Sequence, residues 1–318
     1  MIIIHKRTII TIELGYTMNF FRLSLVFGFI FGSFFCNLQA SERIAVAGGS
    51  ITEIIYRLGE EQRIVGVDST STFNNASQKH PLLGYVRNIS VEGLLSLKPD
   101  LLIGESDTGP TKALEQVQAV GLETLIINED DSISGIKDKI RQVAKQLNVE
   151  EKGEQLIQEM QVDIDALAYA KQQLKSTENK PKVLFLLALS NGAPIASGHS
   201  TSANTAIIEA GGINVLATEK GWKKLSPESA LALNPDVIIV MNRHANILND
   251  VAELPHFKYT AAVKNAAVYG IDGGYLLGFG PRTPQAIVEL GTMIHEQFPL
   301  PANYHFRYKR NTQGNLGH

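Results

Sequence analysis

The residues best suited to chemistry sit in one short stretch, Gly84-Tyr85-Val86-Arg87. In an extended segment, residues i and i+2 point the same way. The Arg87 guanidinium then lies beside the Tyr85 phenol and favours its anionic form. A free tyrosine ionises only near pH ~10, so such help matters. A phenolate is an anionic oxygen donor suited to a hard metal cation. Read from spacing alone, the pair also fits a half-buried aromatic beside a surface cation, which is the commoner fate of a tyrosine.

Other candidates are more scattered. Arg243 and His244 follow the apolar run 237–241, at the carboxyl end of a strand, where α/β ligand sites lie. They also read as a polar pair on a surface loop. His199 stands in a glycine-flanked loop, Ser197-Gly198-His199-Ser200. Arg282 lies in Gly280-Pro281-Arg282-Thr283-Pro284. Its guanidinium fork suits a carboxylate, although Thr283-Pro284 equally reads as an ordinary helix start. The histidines at 80, 199, 244, 256, 295, 305 and 318 are not spaced as a local metal pair. No Gly-x-Ser-x-Gly elbow, Walker loop or His-Glu-x-x-His motif is present. Gly48-Gly49-Ser50 is like a fragment of a phosphate loop but lacks the lysine and the remaining glycines.

The elements that must position these groups alternate between strand and helix. Two segments repeat one grammar 136 positions apart. Ser90-Val91-Glu92 leads into a short apolar-periodic helix, Pro99-Asp100 and the buried strand 101–103; Ser226-Pro227-Glu228 leads likewise to Pro235-Asp236 and 237–239. Ser90 and Ser226 read as N-caps, and Glu92 and Glu228 fall in first turns, where the helix dipole favours them. Further strands are expected at 43–46, 63–67, 122–127, 182–189 and 267–271, with helices at 51–58, 111–120, 202–210 and 284–298. This alternation implies an α/β protein with two Rossmann-like lobes and mostly parallel sheets. Between them, 150–175 keeps an apolar stripe at Leu156, Met160, Ile164, Leu167 and Leu174, the mark of one long helix. A single helix is a stiff connector, so limited closure around a ligand is expected. The expected organisation is a leader at 1–40, an N-terminal lobe at 41–149, a connecting helix at 150–179, a C-terminal lobe at 180–300 and a flexible, fraying tail at 301–318.

Composition narrows the function. The chain has 318 residues, 44% hydrophobic and 19% charged, enough to build packed cores. A net charge of −3 gives no basic face for nucleic acid. Met18 opens a segment with Arg22, the apolar run 23–35 and small residues up to Ala40, the pattern of a secretory signal. Cleavage after Ala40 and a periplasmic location are expected. The only cysteine, Cys36, falls inside this signal behind a poor lipobox, so simple cleavage is favoured over lipidation. No disulfide or cysteine-ligated metal site is then available.

The order Gly48-Gly49, Thr52-Glu53-Ile54, Leu58-Gly59, Ile64-Val65-Gly66-Val67-Asp68, Gly84-Tyr85-Val86-Arg87, Ser90-x-Glu92 and Leu97-Lys98-Pro99-Asp100 resembles periplasmic binding proteins with a long inter-lobe helix. Those proteins serve haem, siderophore and cobalamin importers. Gly84-Tyr85-Val86-Arg87 and Leu277-Gly278-Phe279-Gly280-Pro281-Arg282-Thr283-Pro284 resemble the haem-binding branch. The resemblance covers nearly all of 43–299. It implies a class III binding-protein fold, a carrier and not an enzyme, haem as transported ligand, and no catalytic cofactor. It implies Tyr85 as the haem iron ligand, with Arg87 and Arg243 stabilising that ligand or a propionate, and Arg282 as a propionate partner or a mainly structural residue. His199 is a candidate second axial ligand, since Asn191 stands where relatives carry histidine. Glu92 and Glu228 are implied to dock onto an ABC permease dimer served by its ATPase, with a monomeric carrier and no nucleic acid involved. A siderophore or cobalamin carrier of the same fold is the alternative. An exported α/β enzyme is a weaker one, because no nucleophile or base assembly is found.

Overall fold

Apolar runs of four or five residues become the middle strands of two sheets. A computed structural model describes residues 42–128, 130–174, 180–190, 193–242, 244–308 and 312–313. The secretory signal, Cys36 and the cleavage site after Ala40 lie outside the described residues, as do Asn191 and Arg243.

The strands before the long helix are β1 (Ile44–Ala47), β2 (Ile64–Val67), β3 (Gly84–Tyr85), β4 (Asn88–Ile89), β5 (Leu101–Glu105) and β6 (Glu123–Ile127). Four of them form a fully parallel sheet in the order β2-β1-β5-β6, and β3 pairs with β4 in a separate hairpin. Period-2 alternation sends Ile44, Val46, Leu101 and Ile103 to one face and Ala45, Ala47 and Leu102 to the other. Both faces are covered, as a parallel sheet requires. On the first, the helices Gly49–Arg57 and Ile133–Gln146 supply Ile51, Ile54, Ile136 and Ile140; on the second lie Leu94 and Val117 of the helices Val91–Ser96 and Thr111–Ala119.

The second sheet holds β7 (Lys182–Ser190), β8 (Ala193–Ser197), β9 (Ile213–Asn214), β10 (Trp222–Lys224), β11 (Val237–Met241), β12 (Val268–Ile271) and β13 (Thr312–Gln313). Its centre is parallel, β9-β7-β11-β12, while β8, β10 and β13 run antiparallel at the margins. Alternation again splits the core, with Val183, Phe185 and Ile239 on one face and Leu184, Leu186 and Val240 on the other.

The helix Glu150–Leu174 has 25 residues and is about 37 Å long at 1.5 Å per residue. Leu156, Ile157 and Met160 in its first half belong to the first sheet's core, and Ala166 and Leu167 in its second half to the other core. One rigid element is thus packed into both lobes. The architecture is two Rossmann-like lobes joined by a long helix, the class III binding-protein fold.

The chain after residue 300 differs from the fraying tail expected of its polar composition. Asp163, on the long helix and fully buried, accepts a hydrogen bond from Tyr304 Oη at 2.9 Å and pairs with the Arg307 guanidinium. Gln285 Oε1 accepts from the backbone N–H groups of Arg307 and Tyr308, at 2.8 and 3.0 Å. Thr312 and Gln313 add β13 to β12. Polar residues here satisfy a buried carboxylate rather than water, which local composition does not reveal. Arg307→Ala leaves Asp163 buried with one neutral partner. Losing one member of a buried pair costs about 3–5 kcal/mol. Because Arg307 is 27% exposed, we expect about 2 kcal/mol, read as a lower urea midpoint. An unchanged midpoint would mean that the tail does not hold this pair in solution.

Candidate ligand-binding site

Tyr85 and Arg87 are presented by the hairpin of β3 and β4, in which Tyr85 pairs with Asn88 across the turn Val86-Arg87. The segment is therefore a tight turn, not the extended loop expected from sequence. Leu83 and Val86 are buried in the first lobe's core, and this anchoring leaves Tyr85 46% exposed. Gly84 makes the turn possible. Its φ is +106°, and a Cβ there would meet Asn88 O at 2.6 Å. Arg87 Nη1 donates a long hydrogen bond to Tyr85 Oη at 3.4 Å, while Nη2 pairs with Asp107 at 2.8 Å. The turn, rather than i/i+2 alternation, brings phenol and guanidinium together.

Arg87 also lines a cavity of about 550 Å³ between the lobes. From the first lobe come Glu105, Ser106 and Asp107, at the carboxyl end of β5, and Asp130 and Asp131 beyond β6. The second lobe contributes Ser200 and Thr201 before the helix Ser202–Glu209, Trp222 on β10, and Leu277 and Gly278 after β12. The first-lobe groups cluster where strand order reverses between β1 and β5, the place where open α/β sheets bind ligands. Among the described residues lining the cavity, Arg87 is the only cation and four are acidic. Trp222, 37% exposed, is the large aromatic of this wall. Sequence reading passed over it; an aromatic inside the polar run Gly221-Trp222-Lys223-Lys224 was the available signal.

Below the cavity, carboxylates take the donors that a phosphate loop would offer. Gly48 N–H donates to Asp68 at 2.9 Å, and Ser50 N–H to Glu105 Oε1 at 3.1 Å. Ser50 Oγ donates to the same oxygen at 2.6 Å and accepts from the buried Lys139 Nζ at 2.7 Å. The start of helix Gly49–Arg57 is thus filled by the protein's own acids, so Gly48-Gly49-Ser50 holds no anion.

Arg282 stands apart from a ligand carboxylate. Its backbone N–H and Nη2 donate to the two oxygens of Glu53, at 3.1 and 3.0 Å. Burial pushes the Glu53 carboxyl above its usual range, and the Arg282 charge opposes that shift. A guanidinium so engaged joins the two lobes, in keeping with the mainly structural role that the sequence also allowed. His199 is not among the cavity-lining residues; its Nδ1 is bonded to Ser200 Oγ at 2.9 Å. His244 is exposed, 3.6 Å from Asp250.

The repeated segments fold alike. Ser90 Oγ accepts from Gly93 N–H and Ser226 Oγ from Ser229 N–H, so both serines cap their helices. Asp100 bonds the backbone N–H of Arg43 and Asp236 that of Lys182, each at 2.8 Å. The Pro-Asp unit thereby fastens its helix end to the start of a neighbouring strand. Glu92 and Glu228 are exposed in the two first turns. The Glu228 carboxyl is held below its usual range by its own backbone N–H, by Ser226 and by the field of His256.

With this geometry in place, comparison with known proteins is decisive. The family model for periplasmic binding proteins matches residues 44–275. The chain belongs to this family. It is similar to the periplasmic heme-binding protein RhuT from Roseiflexus sp. RS-1, with 35% identity, 81% of this chain and 99% of that chain covered, and a TM-score of 0.74. It is also similar to the ABC transporter substrate-binding lipoprotein YvrC of Bacillus subtilis (strain 168), 27% identical over 77% of each chain. The vitamin B12-binding protein of Yersinia pestis (strain Pestoides F) is 26% identical over 66% of this chain and 73% of its own length. The protein is therefore a periplasmic substrate-binding protein of an ABC importer. It works by binding and delivery, not by catalysis, and its partners are a permease and its ATPase.

For this binding protein the cleft wall carries its own reporter, because Trp222 is the chain's only tryptophan. Its fluorescence should be quenched by acrylamide in the free protein and shielded when the cleft is filled. Equal quenching with and without saturating ligand would place the ligand away from this wall.

Proposed function

We propose that this protein captures ferric haem between its lobes and delivers it to its importer. The observation that carries the reading is the exposed Tyr85 hydroxyl, with a cleft-lining guanidinium 3.4 Å from its oxygen. A tyrosine oxygen is a fitting ligand for Fe(III). The likeness to a protein named heme-binding, at 35% identity, supports the same cargo. In this reading Tyr85 ligates the iron and Arg87 orients its oxygen through their hydrogen bond. Trp222 and Leu277 cover part of the macrocycle from the second lobe. Arg243 and His199 remain the second-lobe candidates for a propionate partner and a second axial ligand. The lobes correspond to 41–149 and 180–300 with 150–179 between them, and the signal is removed after Ala40.

One finding favours a second reading. The lining is acidic, and a relative is named as a vitamin B12-binding protein. A corrin carrier would keep the fold and both glutamates without needing Tyr85 as a ligand.

A haemin titration followed by visible absorption separates the two. The haem reading expects a saturable Soret shift with a tyrosinate-type charge-transfer band. Tyr85→Phe should weaken binding about a hundredfold, or about 2.7 kcal/mol. Unchanged affinity removes Tyr85 from the site, and saturable cobalamin binding without haemin binding selects the corrin reading. Delivery is read separately. Charge reversal at Glu92 and Glu228 together should abolish uptake while leaving haemin affinity unchanged. Normal uptake would count against docking through these carboxylates.

A further inference from the structure

The segment 278–282 leaves the second lobe and ends inside the first. Phe279 is 2% exposed and belongs to the first lobe's apolar cluster, with Ile51 and Ile54. It reaches that position at φ +44°, a conformation that a bulky residue adopts only when its surroundings hold it there. The next residue, Gly280, runs so close to helix Gly49–Arg57 that a Cβ would touch Ser50 Cβ at 3.4 Å. Arg282 then closes on both oxygens of Glu53, whose side chain is 4% exposed. The guanidinium carbon lies 4.7 Å from the Phe73 ring centre in the first lobe and 5.3 Å from that of Tyr275 in the second. One turn along the same helix face, Arg57 pairs with Glu159 of the long helix and lies over the Tyr308 ring at 5.2 Å.

We infer that 278–282 is a cross-lobe latch, with Phe279 as its plug and Arg282–Glu53 as its catch, that sets the cleft aperture before any ligand arrives. A contact that only followed lobe closure would lie at the cleft rim and stay partly wet. Here Phe279 and the Glu53 side chain are buried, Phe279 is strained, and only the Arg282 guanidinium, 18% exposed, keeps an edge in water. The long helix fixes the distance between the lobes along one line, which still permits rotation about it. The latch supplies a second attachment away from that line and removes the rotation. Ligand capture then proceeds at a preset spacing, and opening requires Phe279 to leave the first lobe's core.

The test needs no ligand, so it stands or falls separately from the haem reading. In the full chain carrying Cys36→Ser, spin labels are placed at Val120→Cys and Tyr259→Cys, exposed positions in the first and second lobes. Pulsed dipolar spectroscopy should give one narrow distance distribution. Adding Phe279→Ala should broaden it and move it to longer distance, and the near-isosteric Glu53→Gln should do the same with native circular dichroism. If Phe279→Ala fails to fold, Glu53→Gln carries the test alone. A lower melting temperature with an unchanged distribution would make these contacts ordinary packing and overturn the latch. A broad distribution in the parent chain would overturn it as well.

Discussion

The contact between Glu53 and Arg282 fixes where the other groups of the cleft stand. The two residues are 229 positions apart, Glu53 on a first-lobe helix and Arg282 at the end of a segment that arrives from the second lobe. Both charges leave water to meet, which costs free energy unless geometry and further bonds compensate. Here both carboxylate oxygens are engaged, and aromatic faces from either lobe flank the guanidinium. The loop that carries Arg282 also supplies Leu277 and Gly278 to the cavity wall. The helix that carries Glu53 has Ser50 in its first turn, whose hydroxyl donates to Glu105 on the cavity wall. The spacing of the walls and the arrangement of the floor therefore depend on one pairing.

The fold was legible where local rules and global packing agree. Serine caps, first-turn glutamates and Pro-Asp breaks announce the two repeated units, and four-residue apolar runs announce buried parallel strands. The long helix declares itself through Leu156, Met160 and Leu167. Legibility ends where a partner lies far along the chain. Nothing local in Thr52-Glu53-Ile54 announces a guanidinium from the other lobe. The polar tail hides its role for the same reason, because Asp163 is concealed in the middle of the long helix. Strands β9, β10 and β13 of the second sheet are not legible because they have only two or three residues each and carry little periodic signal.

The candidate site divides along the same line. Tyr85 and Arg87 could be singled out from their types, yet the contact between them arises from a two-residue turn that depends on Gly84. The cavity's acidity could not be read, because its carboxylates come from two separate places, the end of β5 with the loop after it and the loop after β6. That acidity bears on selectivity. Asp107 already pairs with Arg87, so the guanidinium reaches the phenol with part of its charge balanced. An entering group with anionic edges meets repulsion from the first-lobe loops and is steered toward the mouth, while a cationic metal centre is drawn inward.

The paired aspartates Asp100 and Asp236 have a mechanical consequence. Each ties the chain after a repeated helix to the start of a neighbouring strand, at Arg43 just before β1 and at Lys182 in β7. The helices bearing Glu92 and Glu228 therefore cannot shift independently of their sheets. The two carboxylates behave like the tips of a caliper whose arms are the lobes themselves. A surface that grips both tips at once measures the angle between the arms, and a force applied there reaches the long helix that joins them without loss in slack loops.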